Sequence, residues 1–224
     1  MLPRLSAPRR ATQPSPAGVT ARPVCRPTRQ RNAPARRATP RGGLPPSPAL
    51  RRWLAAPGSL TARLRLHGTV SVQVLAQGRM RLLPQERQAL GGQAAHVREV
   101  LLRIDGRAAI WARSVTPLSA VKGPWAAIQG LGKRPLAELL FSHRQVLRGP
   151  LMASHLAPAS PLQRRMAQAW RRHAGAPSDA QGPAPGCDAL PRWARHSVFW
   201  HRGQPLQVLE AFAPWLAPLP CWQR

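Results

Sequence analysis

The chain has 224 residues, a formal net charge of +27 at pH 7 and seven acidic residues. Its length suits one domain of ordinary size, and it has no apolar run near the roughly 20 residues that a membrane-spanning helix needs. Only two of the 34 basic residues are lysine, and this excess of arginine, together with abundant Ala and Pro, indicates a GC-rich coding bias rather than a nucleic-acid partner. The three cysteines lack CxxC spacing, which argues against a structural zinc site and fits a reduced, cytoplasmic protein.

Residues 1–48 form a region of distinct composition. They are rich in Pro, Arg, Ala and Thr, and residues 1–50 hold ten arginines but no Asp or Glu. Such a segment cannot bury enough apolar surface to offset the entropy of ordering its backbone. The sequence therefore predicts a disordered basic extension without a direct catalytic role. A transit peptide, a basic tail and a wrongly assigned start codon are all compatible with this composition.

Residues 49–219 carry the periodic patterns of a folded domain. A short helix over residues 50–54 is followed by a Pro-Gly pair, and Ser59 suits the N-cap of a second helix over residues 60–66. Further along, Pro135 suits the first turn of a helix that runs to about residue 141.

Alternating apolar residues and turn signals predict the strands. Three hairpins are predicted: 70–74 with 79–83 across Gln77-Gly78, 97–104 with 108–115 across Asp105-Gly106, and 195–201 with 206–212 across Arg202-Gly203-Gln204. A further strand is predicted at residues 145–152. Five or six strands, joined mostly by tight turns, favour an α+β fold. We expect an antiparallel sheet of about six strands with helices on one side.

Residues 157–190 interrupt this pattern with Pro, Gly, Ala and Ser. Within them, Leu162, Met166 and Trp170 follow helical spacing. We interpret the segment as a flexible insertion that contains an amphipathic helical turn or two.

Two charged residues, Arg98 and Glu210, share a strand face with apolar residues. Side chains alternate across a strand, and the resulting neighbours are Val100, Leu102 and Ile104 for Arg98, and Leu206, Val208 and Phe212 for Glu210. Burying either charge alone costs on the order of several kcal/mol, so each needs a partner. Two explanations stay open: the two residues form a structural ion pair with each other, or they bind opposite ends of one ligand.

The loop around Gly130, Gly132 and Lys133 is a weaker candidate for a ligand site. Its glycines would let backbone N–H groups approach a ligand, but no Ser or Thr follows Lys133, so it is not a P-loop. A solvated connection between helices explains it equally well. The seven histidines show no metal-binding spacing, and no metal site is expected.

Four segments occur in an informative order: His96–Leu102, Arg113–Ser119, Leu131–Phe141 and Trp193–Trp215. Together they resemble the chorismate–pyruvate lyase family of ubiquinone biosynthesis. The resemblance covers roughly residues 50–217 apart from the insertion. It implies a chorismate lyase-like fold, in which helical lids formed by residues 57–66 and 122–141 cover a buried ligand pocket.

The same resemblance implies a reaction and a set of site residues. Chorismate would be split into 4-hydroxybenzoate and pyruvate by a monomer that needs no metal or organic cofactor. Arg98 and Glu210 would be catalytic and bind the substrate, and Leu60 and Leu136 would be substrate-binding. These residue types suit the ligand, because a planar guanidinium binds a carboxylate in a fork and a carboxylate accepts a hydrogen bond from a ring hydroxyl.

A non-catalytic domain that binds a small effector is the alternative from another class. Such domains in bacterial transcription regulators resemble this fold but follow an N-terminal helix-turn-helix. Residues 1–48 contain many prolines and no helical period, so a folded DNA-binding head is not expected. The extension also offers no aromatic residues on which bases could stack, and we expect no nucleic-acid partner.

Overall fold

The computed structural model describes residues 36–37, 45–142, 144–175 and 189–221. Its helices are α1 (Pro48–Ala55), α2 (Leu60–Leu64), α3 (Pro84–Leu90), α4 (Leu136–Ser142) and α5 (Pro161–His173). Its strands are β1 (Arg36–Arg37), β2 (Val70–Arg81), β3 (Ala94–Ile104), β4 (Arg107–Thr116), β5 (Val146–Arg148), β6 (Met152–His155), β7 (Trp193–His201) and β8 (Gln204–Phe212). The predicted α+β class is confirmed.

All eight strands belong to one sheet, in the order β1-β6-β7-β8-β4-β3-β2, with β5 also paired to β7. Every pair is antiparallel except β1 with β6. The predicted strand at 145–152 is divided into β5 and β6, because Gly149 and Pro150 separate two short pairings with β7. Proline has no N–H to donate to a sheet, which explains the break.

The two predicted hairpins with glycine turns are confirmed. Asp105 and Gly106 join β3 to β4 with φ values of 47° and 78°, and Arg202 and Gly203 join β7 to β8 with φ values of 47° and 76°. Two successive residues with positive φ are typical of the type I′ turn, whose twist matches that of the flanking strands.

The predicted hairpin at Gln77-Gly78 is wrong. Residues 70–81 form the single strand β2, which pairs with β3 from Val70 opposite Ile104 to Arg81 opposite Ala94. A bulge between Val74 and Ala76 shifts the register, and the strand continues through Gly78. The long partner strand β3 supplies backbone hydrogen bonds on both sides of the glycine, and this pairing outweighs the local turn signal.

The helical spacing predicted within residues 157–190 is confirmed by α5, which is longer than the turn or two expected and packs into the core. This helix has 13 residues, its N-cap Ser160 accepts a hydrogen bond from the backbone of Gln163, and Met166 and Trp170 are buried in the core. The Pro- and Ala-rich residues on both sides of α5 are typical of a flexible segment, and for this reason the sequence did not indicate a packed helix. Residues 176–188 of the segment lie outside the described part of the chain.

The predicted extension, residues 1–48, falls almost entirely outside the described residues, and its disorder stays a prediction. Within it, β1 pairs with β6, and Ser47 caps α1 by accepting a hydrogen bond from the backbone of Leu50. The folded domain therefore begins at least as early as Ser47. Over the described ranges, no helix has the length and apolar character to cross a membrane.

Helices cover both faces of the sheet, and the two faces differ in how the helices contact them. Ion pairs hold α3 and α5 against the face of β3 and β4 that carries Glu99 and Arg113. The opposite face carries Arg98, and α2 and α4 lie over it. The second arrangement encloses a pocket.

Candidate active site

The pocket lies between the Arg98 face of the sheet and the helices α2 and α4. Its apolar lining comes from strand residues Val72, Val100, Leu102, Ala112 and Val208 and from helix residues Leu60, Leu136, Leu140 and Phe141. Its charged lining consists of Arg98, Arg148, Arg195 and Glu210. An apolar cavity with a few convergent charged groups is the usual form of a small-molecule site.

The structure brings all four sequence-predicted site residues to this pocket. Arg98 comes from β3 and Glu210 from β8, while Leu60 and Leu136 are the first residues of α2 and α4. Ser59 fixes the start of α2, because its hydroxyl accepts a hydrogen bond of 3.2 Å from the backbone N–H of Ala62. The two leucines therefore sit where both covering helices begin, over the charged floor of the sheet.

Arg98 is only 3 % exposed, and all its partners are neutral. Its guanidinium donates to the side-chain oxygen of Gln77, to the carbonyl of Gly132 at 2.8 Å and to the carbonyl of Arg134 at 3.3 Å. Gln77 is itself held by the backbone, since its amide donates to the carbonyl of Gln129 at 3.0 Å. Burial lowers the pKa of Arg98 from its usual value.

The loop around Gly130, Gly132 and Lys133, the weaker candidate for a ligand site, contacts Arg98 through its backbone. Gly132 adopts a φ of 55°, and its carbonyl accepts from Arg98. Lys133 is exposed and does not line the pocket. The loop therefore orients the pocket arginine through backbone carbonyls.

Glu210 pairs with Arg195, so the predicted alternative of an ion pair between Arg98 and Glu210 is wrong. The two residues lie opposite each other on β8 and β7, and Arg195 Nε donates to Glu210 Oε2 at 2.6 Å. Arg195 is 1 % exposed and also donates to the carbonyls of Ala56 at 2.7 Å and Trp53 at 3.3 Å. These contacts fix the Glu210 carboxylate at the pocket wall.

Sequence reasoning missed Arg148 and Arg195. The signal for Arg195 was present, because alternation puts it on one face of β7 with Ser197 and Phe199, as it does for Arg98 on β3. Arg148 belongs to a strand of three residues, in which alternation carries little information.

Arg148 has weak and neutral contacts in this pocket. It donates to Ser197 Oγ at 3.3 Å and to the carbonyl of Gly58 at 3.4 Å, and its guanidinium carbon lies 5.2 Å from the centre of the Phe199 ring. Burial, together with the nearby charge of Arg195, lowers the pKa of Arg148 to about 10. Arg148 is therefore still a cation at neutral pH.

The charged groups of the pocket do not balance. Of the three lining guanidinium groups only Arg195 forms an ion pair among the described residues; Arg98 and Arg148 form none, although the charge of Glu210 also acts on Arg148 and partly opposes the lowering of its pKa. Arg98, which is buried, and Arg148, which is half-buried, are cations without an ion-pair partner, and they favour a ligand with two negative charges.

The opposite face of the sheet holds a network of paired charges in which both carboxylates are buried. Arg113 contacts both oxygens of Glu86, at 2.6 Å and 2.8 Å, and also pairs with Glu99. Arg165 of α5 contacts Glu99 at 2.7 Å. Burial opposes the charge of Arg113, but the two carboxylates outweigh it and raise the pKa of this residue. With two arginines and two glutamates, this network has a structural role.

A sequence profile of the chorismate lyase family matches residues 41–218, most of the chain. The chain belongs to the chorismate lyase family. Three curated relatives carry the name probable chorismate pyruvate-lyase. The one from Albidiferax ferrireducens is 46 % identical over 172 residues, which cover 75 % of this chain and 83 % of the relative. The one from Aromatoleum aromaticum is 42 % identical (79 % and 92 % covered), and that from Bordetella avium is 37 % identical (75 % and 78 % covered).

Solved structures of bacterial transcription regulators are distantly similar to this chorismate lyase family member. PhnF from Mycobacterium smegmatis aligns with a TM-score of 0.44 at 14 % identity, covering 75 % of this chain and 69 % of that chain. A GntR-family regulator from Bacillus cereus aligns with a TM-score of 0.44 at 9 % identity, covering 69 % of this chain and 97 % of that chain.

Proposed function

We propose that this protein is a lyase that converts chorismate into 4-hydroxybenzoate and pyruvate. The observation that carries the proposal is the charge pattern of the pocket: two guanidinium groups that form no ion pair among the described residues and one fixed carboxylate. Chorismate has two carboxylates and one ring hydroxyl, which these groups can bind. Membership of the chorismate lyase family supports the same assignment.

The reaction is an elimination that needs no external oxidant or reductant. The bond between the ring and the enolpyruvyl oxygen breaks, and the ring carbon that bears the hydroxyl loses a proton. The ring becomes aromatic, and the leaving group takes up a proton to become pyruvate. Because aromatisation supplies the driving force, holding the substrate in the reactive geometry and excluding water contribute much of the rate.

In this proposal Arg98 binds the ring carboxylate. Its bonds to Gln77, Gly132 and Arg134 fix the plane of the guanidinium before the ligand arrives. A guanidinium that is already oriented loses little entropy when it binds a carboxylate in a fork. We assign Arg98 to substrate binding and orientation.

Glu210 accepts a hydrogen bond from the ring hydroxyl and assists the loss of the adjacent ring proton. Arg195 occupies Oε2 of this carboxylate, and over the described residues no hydrogen bond engages Oε1. A carboxylate with one oxygen held and the other available suits a general base in a fixed position. Arg195 is then a positioning residue.

Leu60 and Leu136 keep water from the reacting atoms. Both lie at the start of a helix that covers the pocket, and Leu60 is 2 % exposed. A ligand enclosed in this way leaves only when the cover opens, so product release is expected to limit turnover. We propose that the reaction needs no metal or organic cofactor.

The wider setting follows from the family and stays part of the proposal. The reaction would be the first committed step of ubiquinone biosynthesis, carried out by a cytoplasmic monomer.

The test is direct. The full chain is mixed with chorismate under reducing conditions, and 4-hydroxybenzoate is followed by its absorbance while pyruvate is measured by a coupled assay. Equal amounts of both products support the proposal. Binding of chorismate without any product would instead favour an effector-binding domain.

A further inference from the structure

The pocket contains one guanidinium that the roles above leave unused. We propose that Arg148 binds the second carboxylate of the substrate, the one on the three-carbon side chain that departs as pyruvate. This inference rests on the proposed function. It makes Arg148 a specificity residue that recognises the substrate and the leaving group, but not the aromatic product.

The contacts of the other pocket arginines leave Arg148 as the available partner. Arg195 is held by Glu210 and by two backbone carbonyls, and Arg98 is oriented for one end of the ligand. Arg148 has only a hydroxyl at 3.3 Å and a carbonyl at 3.4 Å, and no carboxylate from the described residues contacts it. Contacts of this length are easily exchanged for a charge-assisted bond.

The charges around Arg148 also favour the binding of a carboxylate at this residue. Arg148 is half-buried, and the guanidinium of Arg195, which is fully buried, lies close enough for its charge to act on Arg148. Burial and this neighbouring charge hold the pKa of Arg148 at about 10, well below its usual range. The charge of Glu210 opposes this lowering only in part, and a ligand carboxylate would supply a direct ion-pair partner for Arg148.

The order of the strands matches the order of groups on the substrate. Across the sheet, Arg148 on β5 is followed by Arg195 on β7, Glu210 on β8, and, beyond β4, Arg98 on β3. With a strand spacing of about 4.8 Å, the backbones of β5 and β3 are roughly 19 Å apart. The two long side chains therefore approach the pocket from opposite ends, with Glu210 between them.

Chorismate has its groups in the same sequence. The ring carboxylate is at one end, the hydroxyl lies directly across the ring, and the enolpyruvyl side chain is attached next to the hydroxyl. When Arg98 binds the ring carboxylate and Glu210 the hydroxyl, the side-chain carboxylate falls on the Arg148 side of Glu210. The geometry assigns one group of the pocket to each polar group of the ligand.

The experiment compares substrate and product binding in Arg148→Met and Arg148→Lys. Methionine keeps the length of the side chain and removes its charge. We expect Arg148→Met to raise the KM for chorismate by roughly 10- to 150-fold, the loss typical of one charge-assisted hydrogen bond. Its Kd for 4-hydroxybenzoate should stay within about 3-fold of the wild-type value, because the product lacks the second carboxylate. Arg148→Lys should fall between the wild type and Arg148→Met.

Two controls separate this role from a structural one. Arg103→Met removes another half-buried strand arginine, one that bonds to Gln73 and to the carbonyl of Gly106 and does not line the pocket, and it should leave KM unchanged. The thermal midpoint of Arg148→Met should stay close to that of the wild type, because the guanidinium forms no ion pair among the described residues and only two long hydrogen bonds to neutral groups.

An unchanged KM in Arg148→Met, or an equal loss of affinity for chorismate and 4-hydroxybenzoate, overturns the inference. A wild-type protein that forms no product overturns the proposed function itself, and the inference with it. Turnover by the wild type together with an insensitive Arg148→Met variant removes the inference alone.

Discussion

The two faces of the same sheet treat buried charge in opposite ways. Beneath α3 and α5, Arg113 is enclosed by Glu86 and Glu99, while Arg103, which bonds to Gln73 and to backbone carbonyls, has no carboxylate partner among the described residues. Beneath α2 and α4, Arg98 and Arg148 have only neutral partners. Charges that are paired within the protein gain little from a ligand, whereas a cation without an ion-pair partner is stabilised when an anion binds to it. The proposed binding face therefore differs from the other in that its unpaired guanidinium groups line a cavity, which Arg103 does not.

Glu210→Gln should have the largest effect. The amide cannot act as a base, and it cannot pair with the charge of Arg195. We expect kcat to fall by roughly 10²- to 10⁴-fold, the usual contribution of a general base. Steady-state kinetics of product formation measure this loss, and the Kd for 4-hydroxybenzoate shows how much of it is binding. A variant with normal kcat would remove Glu210 from the chemistry.

Arg113→Met should have the largest effect on stability. It leaves two buried carboxylates, Glu86 and Glu99, without their shared partner. We expect the free energy of unfolding to fall by about 3–5 kcal/mol. Denaturant unfolding followed by circular dichroism gives this value. The activity of the protein that remains folded should stay close to normal, and a selective loss of activity would contradict the separation of the two faces.

Arg98→Met should show the reverse pattern. No carboxylate loses a partner, so the free energy of unfolding should change by no more than about 1 kcal/mol. Binding of the ring carboxylate is lost, and kcat/KM should fall by an amount equivalent to about 2–5 kcal/mol. The same unfolding and product assays, run beside Arg113→Met, measure both quantities. Unfolding of Arg98→Met without a specific loss of activity would assign Arg98 a structural role.

Arg65→Ala should have a small effect. Arg65 pairs with Glu138 at 3.2 Å between the two covering helices, and both side chains are about half exposed, at 52 % and 47 %. Such exposed pairs contribute about 0.2–1 kcal/mol at most. We expect a shift of this size in unfolding and a modest change in turnover. A large increase in kcat would show that this contact restrains the opening of the cover.

Deletion of residues 1–44 should have the smallest effect. The cut removes β1 but keeps Ser47, the N-cap of α1. The composition of this segment predicts no catalytic role, so kcat and KM should stay unchanged. The product assay on the shortened chain tests this prediction, and a loss of activity beyond about 3-fold would refute it.

Alternation and turn chemistry account for what the sequence predicted. The Asp105-Gly106 and Arg202-Gly203 turns predict two hairpins. The two-residue alternation of strand side chains identifies Arg98 and Glu210 as charged residues on apolar faces. The partner of Glu210 does not follow from a three-residue turn at Arg202-Gly203-Gln204, which is the turn that the sequence predicts. A two-residue turn leads directly to the observed register, in which Arg195 lies opposite Glu210.

The charged network on the other face was harder to predict. Continued from the Asp105-Gly106 turn without interruption, the register would put Glu99 opposite Ala112. An irregularity between Leu102 and Arg103 shifts the pairing by one residue and brings Glu99 opposite Arg113. The partners Glu86 and Arg165 come from helices, whose packing on the sheet depends on contacts that no local pattern contains.

The contacts of Arg195 with α1 limit how the pocket can open. One guanidinium joins the carbonyls of Trp53 and Ala56, at the negative end of the α1 dipole, to the Glu210 carboxylate on the sheet. The last turn of α1 is therefore tied to the pocket floor. Gly58, with a φ of 73° and no neighbouring atoms within reach of an added side chain, lies directly after this tie. We therefore expect any opening of the cover to bend the chain at Pro57 and Gly58 rather than within α1.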